Sequence, residues 1–271
     1  MAAFKKTLFA VLLSAVPAVS WACYPHPNLR VCWDLQEGRG VYIYDSSVNL
    51  TTASMMGTTA WVPNTKPRGL KYTNMSGSNT FANTGEWMVS FPALAGSDIR
   101  SAKNAAFDFT GSEPFSFGIT VQIPALRPAT DRSIVGSCDT GIGWELYLEN
   151  GTDSPVFRVL GVAGHDFLRP TTDTNPHRYF VMRNSNRDLY LFVDGVIHGT
   201  SFLASSIIIE AIEPLILAGT MGGLSAFEGK LNHFSLYTFD FVGKSLDELK
   251  AFAKNEYLYW QGLDNGAGVG E

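Results

Sequence analysis

Basic runs are missing from this chain. Lysine and arginine number 20 against 25 acids, for a formal charge of −5, and nowhere do they gather into the stripe that tracks a phosphate backbone. Nucleic acid is therefore excluded as a partner. Charge of either sign is sparse, at 17% of residues, beside a hydrophobic content of 45%, so the chain folds around a core rather than staying disordered. Long apolar runs are absent beyond the N-terminal segment: the best candidate, Ser205 to Leu217, is interrupted by Glu210, Glu213 and Pro214 and falls short of the ~20 residues that span a membrane. The five histidines, His26, His165, His177, His198 and His233, show no metal-ligand spacing such as His-x-x-x-His. Serine-nucleophile motifs and glycine-rich phosphate loops are missing as well, since Gly222-Gly223 reads as a turn.

What is present begins with MAAFKKTLFAVLLSAVPAVSWA. Lys5 and Lys6, an apolar stretch from Leu8 to Val16, and small residues at Ser20 and Ala22 are the three parts of a secretory signal. Residues 1–22 are expected to be removed, leaving a chain that starts at Cys23. A lipid anchor on Cys23 is disfavoured because Trp21 stands where a lipobox needs a small residue. The expected location is secreted, extracellular or periplasmic, or attached at a cell surface. An oxidising compartment pairs two of the three cysteines. Cys23 and Cys32 are the expected pair, since Pro25 and Pro27 make the eight intervening residues a short, stiff loop; Cys138 is then left as a thiol or forms an intermolecular bond.

Period-2 hydrophobicity dominates the rest. Phe115, Phe117, Ile119, Val121 and Ile123 alternate with polar or small residues, the pattern of a half-buried strand. Further strands are expected at Gly143 to Glu149, Val156 to Val162, His177 to Arg183, Asp188 to Val193, Pro214 to Ala218 and Lys230 to Tyr237, separated by Gly, Asn, Asp and Pro clusters. Many short strands without helices between them indicate a β-sandwich. In RDLYLFVDGVIHGT, Asp194-Gly195 is a hairpin signal, so Asp194 is expected to serve a bend rather than chemistry. Ser245-Leu-Asp-Glu248 is a capping box ahead of the stripe Leu246, Leu249, Phe252 and Ala253, which predicts one C-terminal helix. Residues 63–106 read as long loops with an edge strand, and 261–271 as a loose tail rich in glycine and acid.

Several segments together resemble the laminin-G-like, concanavalin A-like jelly roll, the superfamily that includes pentraxins. They are CWDLQEGRGVYIYDSSVNLTTASMMGTTAWV, AAFDFTGSEPFSFGITVQI, SIVGSCDTGIGWELYLENG, HRYFVMRNSNRDLYLFVDGVIHGT, and PLILAG with FEGKLNHFSLYTFDFVGKSLDELK. In that order they cover residues 30 to 260. The resemblance implies an all-β fold, a two-sheet antiparallel jelly-roll sandwich with one short C-terminal helix, occupying residues 23–260. It also implies calcium at a loop rim, with Asp139, before the Gly-Trp strand, and Asp166, after the following strand, as the matching positions; no other cofactor is required. The hydrolase branch of this superfamily gathers acids on one strand as Glu-x-Asp-x-x-Glu. That triplet is absent here, and its nearest imitation, Glu145 with Glu149, reads as two solvated acids on an outward face.

One strand pair has apolar residues on both sides. If His177 to Arg183 and Asp188 to Val193 form a hairpin, Tyr179, Val181, Leu189, Leu191 and Val193 face the core, while Phe180, Met182, Tyr190 and Phe192 face outward, with Tyr147 as a neighbour. So large an apolar area is not left in water. Either residues 63–106 or the N-terminal piece cover it, or it is a contact surface for sugar rings or another protein. The expected function is a non-catalytic binding or adhesion module that recognises glycan or extracellular protein through a sheet face and its rim loops. A structural subunit that self-associates through the same face, with Cys138, is the alternative; a weak glycan hydrolase, with residues drawn from distant loops, is the third.

Overall fold

The computed structural model describes residues 23–260, apart from 36, 64–86, 105–106, 108, 110–112, 125–129, 140–141, 160–164, 167–173, 187, 203–213, 220–225 and 239. The expected signal and tail therefore lie outside the described residues. The chain opens with β1 (Leu29–Trp33), β2 (Tyr42–Ile43), β3 (Ala53–Met55), β4 (Ala60–Pro63), β5 (Trp87–Pro92) and β6 (Ile99–Lys103). Next come β7 (Phe115–Gln122), β8 (Arg132–Asp139), β9 (Ile142–Leu148), β10 (Pro155–Val159) and β11 (His165–Asp166). β12 (His177–Arg183), β13 (Asp188–Val193), β14 (Val196–Phe202), β15 (Pro214–Leu217), β16 (Glu228–Tyr237) and helix α1 (Leu246–Trp260) complete it.

Two antiparallel sheets result. The first runs β14-β13-β12-β7-β16-β5-β4, with β1 also paired to β16; the second runs β11-β10-β9-β8-β15-β6-β3-β2. Their inner faces enclose a core in which Trp144 stacks 5.1 Å from Phe117, and Phe109 lies 4.6 Å from Phe115. The all-β, two-sheet expectation with one helix is met. Strands β12 and β13 have the predicted bounds, and Asp194 and Gly195 carry φ of 52° and 72°, the left-handed pair that a type I′ turn needs. Asp194 also does more than bend: its carboxylate accepts the Arg178 amide at 2.9 Å and meets His177 Nδ1 at 2.7 Å.

Residues 63–106 differ from expectation. β5 lies inside the first sheet between β16 and β4, and β6 inside the second between β15 and β3. Neither alternates legibly, because β5 is buried on both faces at Met88 and Val89, and β6 reads Ile-Arg-Ser-Ala-Lys. The outward patch is also corrected. Phe180, Met182 and Phe192 are buried in a second core with Tyr237, Cys23, Leu29, Cys32, Phe241, Leu249 and Ala253, and Tyr190 and Phe252 pack against it. The cover is α1 together with the N-terminal loop closed by the Cys23–Cys32 disulfide. An amphipathic helix stripe and an apolar sheet face each satisfy the other's need to leave water, at roughly 25 cal/mol per Å². For the same reason β7, expected to be half-buried, is buried on both faces from Phe115 to Val121.

Candidate functional site

The residues expected to form a contact surface do not form one. Phe180, Met182 and Phe192 are interior, Tyr190 is half-buried at the margin of the same core, and Tyr147 belongs to β9 in the opposite sheet, where the Arg158 guanidinium stacks 4.7 Å over its ring. The side chains of Asp139 and Asp166 lie outside the described residues. Among the described residues no three His, Cys, Asp or Glu side chains converge as a metal site would require.

Exposed apolar side chains gather elsewhere, on the stretch from Val41 to Leu50. It passes from β2, at the edge of one sheet, to an isolated bridge between Asp45 and Trp33 at β1 of the other, so it forms a rim across one end of the sandwich. Ile43 points inward and is fully buried, which turns its neighbours Tyr42 and Tyr44 out to water. Asp45 then fixes the turn. Its buried carboxylate accepts the amides of Cys32 (2.9 Å), Ser47 (2.7 Å) and Thr51 (2.7 Å) and the Ser47 hydroxyl (2.8 Å), an Asx-type closure that replaces backbone pairing. Asn49 donates its side-chain amide to the Arg30 carbonyl at 2.7 Å. Held this way, the turn presents Val48 and Leu50 at 80% and 72% exposure. Neither Tyr pair nor turn was singled out in the sequence, though the outward alternation Tyr42, Tyr44 and the Asp-Ser-Ser turn were the signals.

Two hollows open on the described residues, and the first adjoins the rim. The first, of 330 Å³, is lined by Pro25, His26, Pro27, Leu29 and Val48, so one wall is the disulfide-closed loop and the other is the rim. Burial holds the His26 imidazolium below the usual histidine range, which suits its Nδ1 to accept the Asn28 amide at 3.2 Å. The second, of 530 Å³, opens on the outer face of the first sheet beyond the part that α1 covers. Ser90, Pro92, Gln122, Ile123, Pro124, Glu228 and Lys230 are among its lining residues.

Carboxylates buried elsewhere are committed to structure. Glu145, expected to be solvated, is on the outward face but fully buried and ion-paired to Arg158. Burial pushes its carboxyl above the ordinary glutamate value, against the opposing pull of Arg158 and of the Ser133 hydroxyl. Glu149 is bound by the Thr152 hydroxyl at 2.8 Å. Asp153 pairs with buried Arg132, and Glu256 with Arg178.

No family model and no curated protein matches the chain. Solved structures do match. The binding domain of Paraclostridial Mosquitocidal Protein 1 is similar at a TM-score of 0.61 and 14% identity, over 83% of this chain and 52% of that one. Domain 4 of AbnA, a GH43 extracellular arabinanase from Geobacillus stearothermophilus, in complex with arabinotriose, is similar at 0.51 and 13%, over 78% of this chain and 92% of that one. A Trypanosoma rangeli sialidase is similar at 0.57 and 13%, over 90% and 34%. The shared feature is the fold, a two-sheet β-sandwich. This chain spans about half the length of the toxin binding domain it matches.

Proposed function

We propose that the chain is a secreted, non-catalytic recognition module of laminin-G-like type, exported by residues 1–22, which holds a glycan or an extracellular protein on the Val41–Leu50 rim. The observation that carries this reading is the rim itself: Tyr42, Tyr44, Val48 and Leu50 are exposed on a turn that four hydrogen bonds to Asp45 hold in place. Exposed aromatic and aliphatic side chains on a pre-ordered turn bind with little ordering cost. Two further points support it. A disulfide belongs to an oxidising compartment, and proteins of similar fold include receptor binding domains of toxins and a domain carrying arabinotriose.

The test is a pair of variants, Tyr42→Ser with Tyr44→Ser and Val48→Ser with Leu50→Ser, assayed on a glycan array and on cells before and after protease treatment. Both variants should keep their melting behaviour within about 0.5 kcal/mol, as surface changes do, and lose binding. Binding equal to the wild type in both variants overturns the rim as the site. Calcium near Asp139 and Asp166 belongs to the same proposal: millimolar calcium should raise Tm by mass action on the folded state, and an unchanged Tm removes those residues from the site.

A further inference from the structure

The second hollow has a composition that the fold does not account for. On β16 the outward positions alternate, so Glu228 and Lys230 stand side by side about 7 Å apart. Lys230 is paired in register with Ser90 of β5 on one side and Gln122 of β7 on the other, and Glu228 with Pro92. Between them Gly229, at φ 144°, lets β16 close on β7: a Cβ there would collide with the Gln122 carbonyl and the Phe227 ring. Among the described residues several half-buried charged side chains have a partner, as Arg100 with Asp98, Arg158 with Glu145 and Asp34 with His233. Glu228 and Lys230, both half-buried, have no hydrogen-bond or ion-pair partner among the described residues. Gln122 gives its Nε2 to the Thr174 carbonyl at 2.9 Å, which fixes the amide and leaves Oε1 as an acceptor.

We propose that this hollow is a saccharide subsite that takes a neutral sugar unit, with Glu228, Lys230, Gln122 and Ser90 as its hydrogen-bonding residues and Pro92, Ile123 and Pro124 as its apolar wall. The proposal rests on the glycan arm of the reading above. Its volume, 530 Å³, lies within the roughly 300–1,000 Å³ of small-ligand sites. One carboxylate and one ammonium make the charged lining neutral overall, so an anionic ligand meets Glu228 and a cationic one meets Lys230. A sugar hydroxyl both donates and accepts, and neighbouring hydroxyls satisfy a carboxylate, an ammonium and an amide oxygen together. The C–H face of the ring lies against the prolines. An amino-acid zwitterion also completes the two charges, but leaves the Gln122 and Ser90 groups and the apolar wall without a role.

The experiment titrates the full chain with the methyl glycosides of glucose, galactose, mannose, arabinose and N-acetylglucosamine, and with diglycine and a sialoside as charged probes, followed by calorimetry. At least one neutral glycoside should saturate the protein. Glu228→Gln and Lys230→Met should each weaken that binding at least tenfold with unchanged Tm. The proposal is overturned if no neutral glycoside binds, if diglycine or the sialoside binds more tightly, or if both hollow variants bind as the wild type does. Loss of the subsite with rim-dependent array binding intact removes this inference alone. Array binding that ignores the rim variants removes the rim reading and leaves the subsite to stand on its own titration.

Discussion

Glu145 shows how one buried side chain sets a pH response. Its carboxyl titrates above the ordinary value of 4.5 because burial penalises the charge more than Arg158 and Ser133 favour it. The folded chain therefore binds this proton more tightly than the unfolded chain. Stability falls as pH rises from the ordinary glutamate value through the raised one, and is level above it. Glu145→Gln should remove that part of the slope, so urea unfolding of wild type and variant across the mildly acidic range should converge in slope only above it; parallel curves throughout would assign the slope to another group. The residue scale is also where the sequence was least legible. Glu145 sits on an outward strand position, and nothing local in its neighbours announces that Arg158, from the paired strand β10, lies over it. Asp194 was legible as a bend because Asp-Gly is a local signal, whereas its grip on the Arg178 amide depends on the strand before.

Arg178 and Glu256 join the first sheet to α1. The guanidinium reaches Glu256 Oε2 at 3.1 Å and the Ser235 hydroxyl at 2.8 Å, and also donates to the His233 carbonyl; it lies over Gly118, which has no room for a Cβ beneath it. Removing one partner strands the other charge in the interior, so Arg178→Met or Glu256→Gln should each cost about 3–5 kcal/mol. The double variant Arg178→Met with Glu256→Leu should recover much of that loss in denaturant unfolding, because both desolvation penalties disappear. A double variant no more stable than either single one would deny the coupling. Elements with a strong local pattern were legible, β12, β13 and the start of α1 among them. The cap of α1 is made as Ser245 and Glu248 foretold: the Ser245 amide donates to Glu248 Oε2 at 2.8 Å, and the Ser245 hydroxyl accepts the Glu248 amide at 3.3 Å. β5 and β6 were illegible because burial on both faces, or charge on a covered strand, erases the alternation that marks a strand.

At the scale of the whole molecule, the candidate patch failed because an apolar sheet face looks the same in sequence whether solvent, a partner or the chain's own helix covers it. The covering pieces lie far apart along the chain, so no local signal named them. Cys138 is buried and outside any disulfide, while Cys23–Cys32 closes a short loop whose constraint is worth about 2–3 kcal/mol. Reductant should therefore lower Tm and leave the light-scattering mass unchanged; a mass that halves on reduction would show Cys138 bridging two chains. Tyr24 meets Tyr259 at 5.8 Å and Phe252 at 5.5 Å, so the disulfide loop and α1 touch one another over the sheet they share. During synthesis, then, Phe180 and Phe192 leave the ribosome long before α1 does. A nascent chain has only the N-terminal loop to lay on that face while β14, β15 and β16 are being made, and the step that completes its shielding is the arrival of the last helix.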